Sequence, residues 1–222
     1  MANRFAQLMA FTLVWGILCF ASAGTLDWPQ AWIYLALLVG GLTLSTVVVF
    51  KTNPQVIAER GKIHPDTKFV DKIIIGVYSL LLLMTPVVAG FDAQRFRWSP
   101  MPFDCVYLGA VVYAVSLIPP VWAMAVNPYL ETGVRLQQDR GQFAITTGPY
   151  RFVRHPMYVG VIINQFATPL VLGSMWTYVP SLAIAVLFIV RTALEDRTLL
   201  NELPGYREFA EVTRYRLLPG VW

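Results

Sequence analysis

Long apolar runs, each close to the length that crosses a bilayer, leave this chain few ways to fold. They fall at residues 5–24, 31–50, 73–91, 103–126, 156–172 and 175–190. About 20 such residues wound as a helix cover the ~30 Å hydrocarbon layer. Backbone groups inside lipid must also find their hydrogen bonds within the chain, which a helix does by itself. The expected fold class is therefore all-α, a polytopic membrane helical bundle of about six spans. Composition agrees: 56% of the 222 residues are hydrophobic and only 14% are charged, against about 25% charged in a typical soluble domain. The first run, with Arg4 before it and Ala21-Ser22-Ala23 after it, has the outline of a cleavable signal peptide. Because further spans follow, a retained first helix is the expectation.

Charge sets the expected orientation. Fifteen of the 17 Lys and Arg residues lie before the first run, between residues 51 and 72, between 127 and 155, or after 190; the other two are Arg95 and Arg97. Cytoplasmic loops carry the positive excess, so six spans put both termini in the cytosol of a multi-pass protein, in an inner (cytoplasmic) membrane for a bacterial chain. The net charge of +4 reads as topology, with no nucleic-acid partner implied. Cys19 and Cys105 sit in or beside apolar runs without metal-ligand spacing, so neither a disulfide nor a zinc site is expected.

Punctuation residues refine the picture. Pro119-Pro120 predicts a kink in the fourth span, and Gly173-Ser174 predicts a tight turn between the last two. Trp28 and Trp32 suit an interfacial aromatic belt. Asn164, Gln165 and Thr168, uncharged polar residues inside the fifth span, read as helix-packing groups. The stretch from Arg191 onward is charged with periodic leucines, which predicts a cytosolic helix and a closing segment. The chain divides into N-terminal membrane helices, 1–126, and a chemistry-bearing part, 127–222.

The second part holds the most constrained stretch, residues 146–160. Glycine-proline makes a turn at 148–149, and Pro156 suits the first turn of a helix, where its missing N–H costs nothing. The product is a polar elbow feeding an apolar helix. It carries Tyr150, Arg151, Arg154, His155 and Tyr158, and the end of the last span supplies Arg191, Glu195, Asp196 and Arg197. Arg191 and Glu195 share a helix face. Taken singly, these are topology anchors, a surface ion pair and a structural histidine. Together they gather ionisable groups from two distant segments at one membrane boundary, where such groups are costly unless used.

The pattern Gly148-Pro149-Tyr150-Arg151-x-x-Arg154-His155-Pro156-x-Tyr158, followed by Arg191-x-x-x-Glu195-Asp196-x-x-Leu199, resembles the isoprenylcysteine carboxyl methyltransferase family. Tyr206-x-x-Phe209 and Tyr215-Arg216-Leu217-Leu218-Pro219 fit its bacterial members, so the resemblance covers about residues 127–222. It implies S-adenosyl-L-methionine as methyl donor, held on the cytosolic side by the last two spans and the tail. Carried over by position, Tyr150, His155, Pro156, Tyr158, Glu195 and Asp196 would bind the cofactor, and Arg191, Glu195 and Arg154 would serve catalysis. The family's glutamate pair is Glu195-Asp196 here, and its Phe-Gly-x-x-Tyr segment is replaced by Leu203-Pro204-Gly205-Tyr206.

Methyl transfer from a sulfonium asks a protein mainly for positioning and oriented charge. A carboxylate acceptor is already ionised at neutral pH, and an arginine matches it with two hydrogen bonds. The implied partner is a lipophilic small molecule or a membrane lipid that slides in from the bilayer, possessing a carboxylate as in a prenylcysteine-like compound. Three other functions share features with the chain: a sterol-reductase-type NADPH-dependent membrane reductase, a phospholipid N-methyltransferase, and a lipid-binding scaffold without activity. The residues leave the acceptor, the atom methylated and the oligomeric state open.

Overall fold

A computed structural model describes residues 2–60, 62 and 64–222, and the described residues are helical with no strand beyond one isolated bridge, Pro100 to Ser174. In chain order the helices are α1 (Ala2–Ala23), α2 (Pro29–Thr52), a short α3 (Pro54–Glu59), α4 (Phe69–Gly90, continued by a π-helical turn Phe91–Arg95), α5 (Cys105–Ser116), α6 (Ile118–Val126), α7 (Pro156–Leu172), α8 (Tyr178–Glu202) and α9 (Tyr206–Val212). Among the described residues, four stretches are long and apolar enough to cross a membrane: Pro29–Thr52, Phe69–Arg95, Cys105–Val126 and Tyr178–Glu202. Gln7–Ala23 and Pro156–Leu172 are shorter apolar helices. A polytopic helical bundle is thus what the chain forms. The double proline acts as expected: the helix is interrupted at Leu117, and α6 restarts with prolines in its first turn, where no N–H is needed.

One boundary differs from the sequence expectation. The last span does not stop at residue 190 before a separate helix; α8 runs unbroken through Arg191, Glu195 and Asp196 to Glu202. No glycine or proline falls between 191 and 202, and alanine, leucine and glutamate there favour helix. The break comes at Pro204-Gly205, where Gly205 adopts φ +78°, the left-handed conformation that glycine takes freely.

The chain forms two compact units. The first comprises Met1–Leu44, Tyr78–Ser116 and Ile162–Ala185. Its helices approach closely at small residues: a Cβ on Gly109 would stand 2.7 Å from the backbone N of Val171, so α5 and α7 touch there only because the side chain is absent. Asp92, fully buried, accepts from the N–H and hydroxyl of Ser99, the hydroxyl of Ser174 and the N–H of Trp176. Asn164 donates to the Ser116 hydroxyl at 3.0 Å and Thr168 donates to the Asn164 carbonyl, so these polar groups pair with helix neighbours.

The second unit comprises Ser45–Val77, Leu117–Val161 and Val186–Trp222. Its core holds Val49, Val56, Ala123, Tyr150, Tyr158, Phe188, Leu203, Tyr206 and Phe209. It contains the elbow, the acidic pair and the tail, and it is where the ionisable groups collect.

Candidate active site

The elbow is built by its punctuation. Gly148 takes φ +60°, and a Cβ there would press on Trp122 Nε1 at 3.0 Å and on Val126, so both conformation and space call for glycine. A 3₁₀ turn, Gly148–Arg151, follows with proline in its first positions, and Pro156 then opens α7. The tail closes on this elbow by backbone pairing: the N–H groups of Arg154 and His155 donate to the carbonyls of Tyr215 and Arg216 at 2.9 and 3.0 Å.

Asp196 holds the arrangement together. The carboxylate is fully buried and accepts Arg154 Nε and Nη2 at 2.8 and 2.9 Å, Arg216 Nε at 2.7 Å and the Tyr206 hydroxyl at 3.0 Å, with His155 Nε2 3.3 Å away. Arg154 spends its remaining nitrogen, Nη1, on the carbonyls of Thr213 and Arg214. Burial opposes the charge on Arg154, but its hydrogen bonds to Asp196 outweigh that and hold its pKa above the usual arginine value. Burial, then the charge of Asp196, pushes the Tyr206 phenol well above its ordinary range. Elbow, α8, α9 and tail are thus fastened by one buried charge cluster.

Glu195, next in sequence, faces another way. It lines a cavity together with Tyr150, Arg154, His155, Pro156, Tyr158 and Arg191, closed on other sides by Asn127, Glu131, Gln137 and Phe143 and by Leu199 and Tyr206. The empty space, mouth and open solvent included, is about 820 Å³. The Tyr158 hydroxyl donates to Glu195 Oε2 in a short hydrogen bond. No lysine or arginine forms an ion pair with Glu195 among the described residues. The His155 and Tyr158 rings stack at 5.7 Å with 6° between planes, and Phe188 meets Tyr158 edge-on at 5.1 Å. Tyr150 is buried behind them and receives the Asn127 amide at 2.8 Å; burial raises its phenol pKa, against that hydrogen bond.

Sequence reasoning named Arg191 but not its partner. Asp71, in the first turn of α4, holds it: Nη2 donates to Oδ2 at 2.9 Å, and Nε lies 2.9 Å from Oδ1 without the alignment of a hydrogen bond. Nη2 also donates to the Thr132 carbonyl at 2.7 Å, and the guanidinium packs over the Tyr158 ring, 5.3 Å from its centroid. An acidic residue in the first turn of a largely apolar helix is the available signal. Also missed was the Glu131–Arg135 pair. It makes two parallel hydrogen bonds of 2.8 and 2.9 Å and braces the loop over the cavity.

The predicted site residues therefore sort themselves. Tyr150, His155, Pro156, Tyr158, Glu195, Arg154 and Arg191 all border one cavity, whereas Asp196 stands behind its wall. The cavity's lining combines an acidic group hydrogen-bonded by a neutral donor, stacked aromatic rings, amides, a leucine edge and the arginines Arg154 and Arg191. Residues 105–203, just under half of the chain, match the family model described as phospholipid methyltransferase. That match supports a membrane methyltransferase. No curated protein matches the chain.

Proposed function

We propose that this chain is an S-adenosyl-L-methionine-dependent methyltransferase of the membrane, related in its elbow and acidic pair to the isoprenylcysteine carboxyl methyltransferases, and acting on a lipophilic acceptor. The observation that carries the reading is Glu195: a carboxylate on the wall of the cavity, hydrogen-bonded by the Tyr158 hydroxyl and, among the described residues, in no ion pair. Residues 127–222 carry the donor-side groups. Glu195, Tyr158, His155, Pro156 and Tyr150 would hold S-adenosyl-L-methionine, the carboxylate favouring its positive charge and the rings and leucines its apolar parts. When bound, that cofactor supplies a methyl group on a sulfonium, which an acceptor lone pair takes while the sulfur keeps the electrons of the broken bond. Arg154 and Asp196 act as positioning residues, since their polar atoms are spent on closing the tail over the elbow.

For the acceptor, an already ionised carboxylate needs no general base, and Arg191 stands on the same wall to orient it. A second reading, an amine acceptor, is favoured by one observation: Asp71 already neutralises Arg191. The phospholipid methyltransferase match fits that reading too.

The test is S-adenosylhomocysteine binding by the purified protein, with NADPH as the reductase control. Glu195→Ala is expected to weaken binding by ten- to over a hundredfold, the ~1.5–3 kcal/mol of one charged hydrogen bond, with the protein still monodisperse. Binding of NADPH alone points to a reductase, and binding of neither to a scaffold. Labelled methyl donor with farnesylcysteine or phosphatidylethanolamine as the offered acceptor then separates O- from N-methylation. The charge split further supports an orientation with both termini in the cytosol. In a background lacking Cys19 and Cys105, Trp98→Cys is expected to react with impermeant reagents from outside and Glu211→Cys is not; the reverse overturns the orientation.

A further inference from the structure

The last turn of the tail has no place in the cavity, which none of residues 214–222 lines. Leu218-Pro219-Gly220-Val221 is a β-turn with proline second and glycine third, and Gly220 takes the φ of +83° that a type II turn asks of that place. The Val221 N–H closes the turn on the Leu218 carbonyl at 3.1 Å. The Trp222 carbonyl then accepts the N–H groups of Arg216, Leu217 and Leu218 at 2.9, 3.1 and 3.2 Å. Arg216 lies over the Trp222 ring, 4.9 Å from its centroid, while its Nε holds Asp196. The tip is thus folded on itself and fastened to the buried charge cluster. Its outer side chains are nevertheless apolar: Leu218 is 56% exposed, Val221 74%, and Pro219 is exposed with them, whereas Leu217 is buried.

Two contacts fix the level at which this turn stands. Tyr215 and Arg216 pair by backbone with Arg154 and His155, and the next residue, Pro156, begins the apolar helix α7. Just before that pairing, the Phe152 ring meets Trp122 with centroids 6.2 Å apart. Trp122 lies about one turn from Val126, where the span Cys105–Val126 ends. Both rings are exposed, and an exposed tryptophan at that depth of a span belongs to the aromatic belt facing the lipid boundary. The tail therefore runs at the level where one apolar helix ends and another starts. A single exposed aliphatic residue needs no explanation. A closed turn that presents three of them at this level continues the lipid-facing surface begun by Trp122 and Phe152.

We infer that the Leu218–Val221 turn is an interfacial anchor, seated in the headgroup layer on the elbow's side of the membrane. Leu218, Pro219 and Val221 rest against the upper acyl chains of phospholipid, as the apolar face of an interfacial segment does. The partner is the bilayer surface itself, and the contact requires no particular headgroup. The tail that pairs with Arg154 and His155 is then held from two directions, by Asp196 inside and by lipid outside. This anchor does not depend on the methyltransferase reading.

The experiment uses the full chain in phosphatidylcholine vesicles. Nitroxide labels on Leu218→Cys and Val221→Cys, in a background lacking Cys19 and Cys105, are read by power saturation against oxygen, which concentrates among acyl chains, and against a water-soluble nickel chelate. Both labels are expected to meet oxygen more often than nickel. Val212→Cys on α9, an apolar position more exposed still, is the aqueous reference, and its oxygen-to-nickel ratio should be several-fold lower. Because a label is itself apolar, the unsubstituted chain is also photocrosslinked with two phosphatidylcholines, one with a diazirine close to the glycerol and one with it at the chain end. Mass spectrometry should find residues 218–222 modified by the first and hardly by the second. Nickel exceeding oxygen at both labels, or no modification of 218–222 by the shallow probe, overturns the anchor. Labels shielded from both reagents also overturn it, since a protein neighbour such as a second copy of the chain would then stand where the lipid should be.

Discussion

Each compact unit contains one fully buried aspartate that ties distant segments together, and the two are solvated in opposite ways. Asp92, in the first unit, is met only by neutral donors: two backbone N–H groups and two serine hydroxyls. Asp196, in the second, is met by two arginines, a tyrosine hydroxyl and a histidine nitrogen. A buried carboxylate is tolerable either way, since what burial penalises is a charge without partners. The neutral set draws on a turn and two serines, which any tight loop can supply. The cationic set brings Arg154 to the edge of a cavity, where the neighbouring Glu195 is in no ion pair among the described residues. One hub is a staple; the other holds a site in shape while keeping its own charge out of it.

That contrast predicts unequal costs. Asp196→Ala is expected to be the most damaging single change in the second unit. It strands Arg154 and Arg216 without a counter-charge, and breaking a buried pair on one side costs about 3–5 kcal/mol. Thermal unfolding in detergent and protease cleavage of the tail measure it: the tail beyond residue 203 should become cleavable while α8 stays intact. A variant as stable as the parent would show that the cluster is ornamental.

Tyr206→Phe is the next step down. It deletes one hydrogen bond to a charged acceptor, worth about 1.5–3 kcal/mol. It also carries a pH signature. Burial and the charge of Asp196 favour the neutral phenol in the folded protein. Its contribution is therefore complete below the ordinary tyrosine value of 10.0 and is lost as pH rises past it toward the raised folded value. The parent should lose stability more steeply than Tyr206→Phe above that pH, and parallel alkaline profiles would contradict the assignment.

Asp92→Asn should cost less than Asp196→Ala, about 1–3 kcal/mol for donors left partly unmet, because no cation is stranded. On the proposed reading S-adenosylhomocysteine affinity should not follow, since every residue that lines the Glu195 cavity belongs to the other unit. A tenfold loss of affinity would break the division between staple and site.

The amino-acid pattern made the spans, the elbow and the last helical hairpin legible, because each carries a local signal. Apolar length marks a span, and Gly148-Pro149 and Pro156 mark a turn and a helix start. Proximity of elbow and acidic pair could be argued from topology, with both at one membrane boundary. What sequence could not show is pairing across distance. Asp71 and Arg191 stand 120 positions apart, and no periodicity links them. The division of labour in Glu195-Asp196 was also hidden. Adjacent helix residues point about 100° apart, and only the fold decides which of them meets Arg154 and which meets the cavity. The extension of α8 past residue 190 is hidden in the sequence because charge ordinarily marks the end of a span, whereas these charged turns find partners in Asp71, Arg154 and Tyr158.

The smallest expected effect tests the same comparison from its weak end. Lys68 pairs with Glu202 at the polar end of a second cavity, between α4 and α8, and both side chains are well exposed, 37% and 42%. An exposed pair of this kind is worth about 0–1 kcal/mol, and salt at physiological strength screens it over ~8 Å. Lys68→Met is therefore expected to lower the unfolding midpoint by less than about 4 °C, and added salt should erase the difference from the parent. A loss matching that of Asp196→Ala would mean that charge networks stabilise this unit wherever they occur, so burial would not be what distinguishes Asp196.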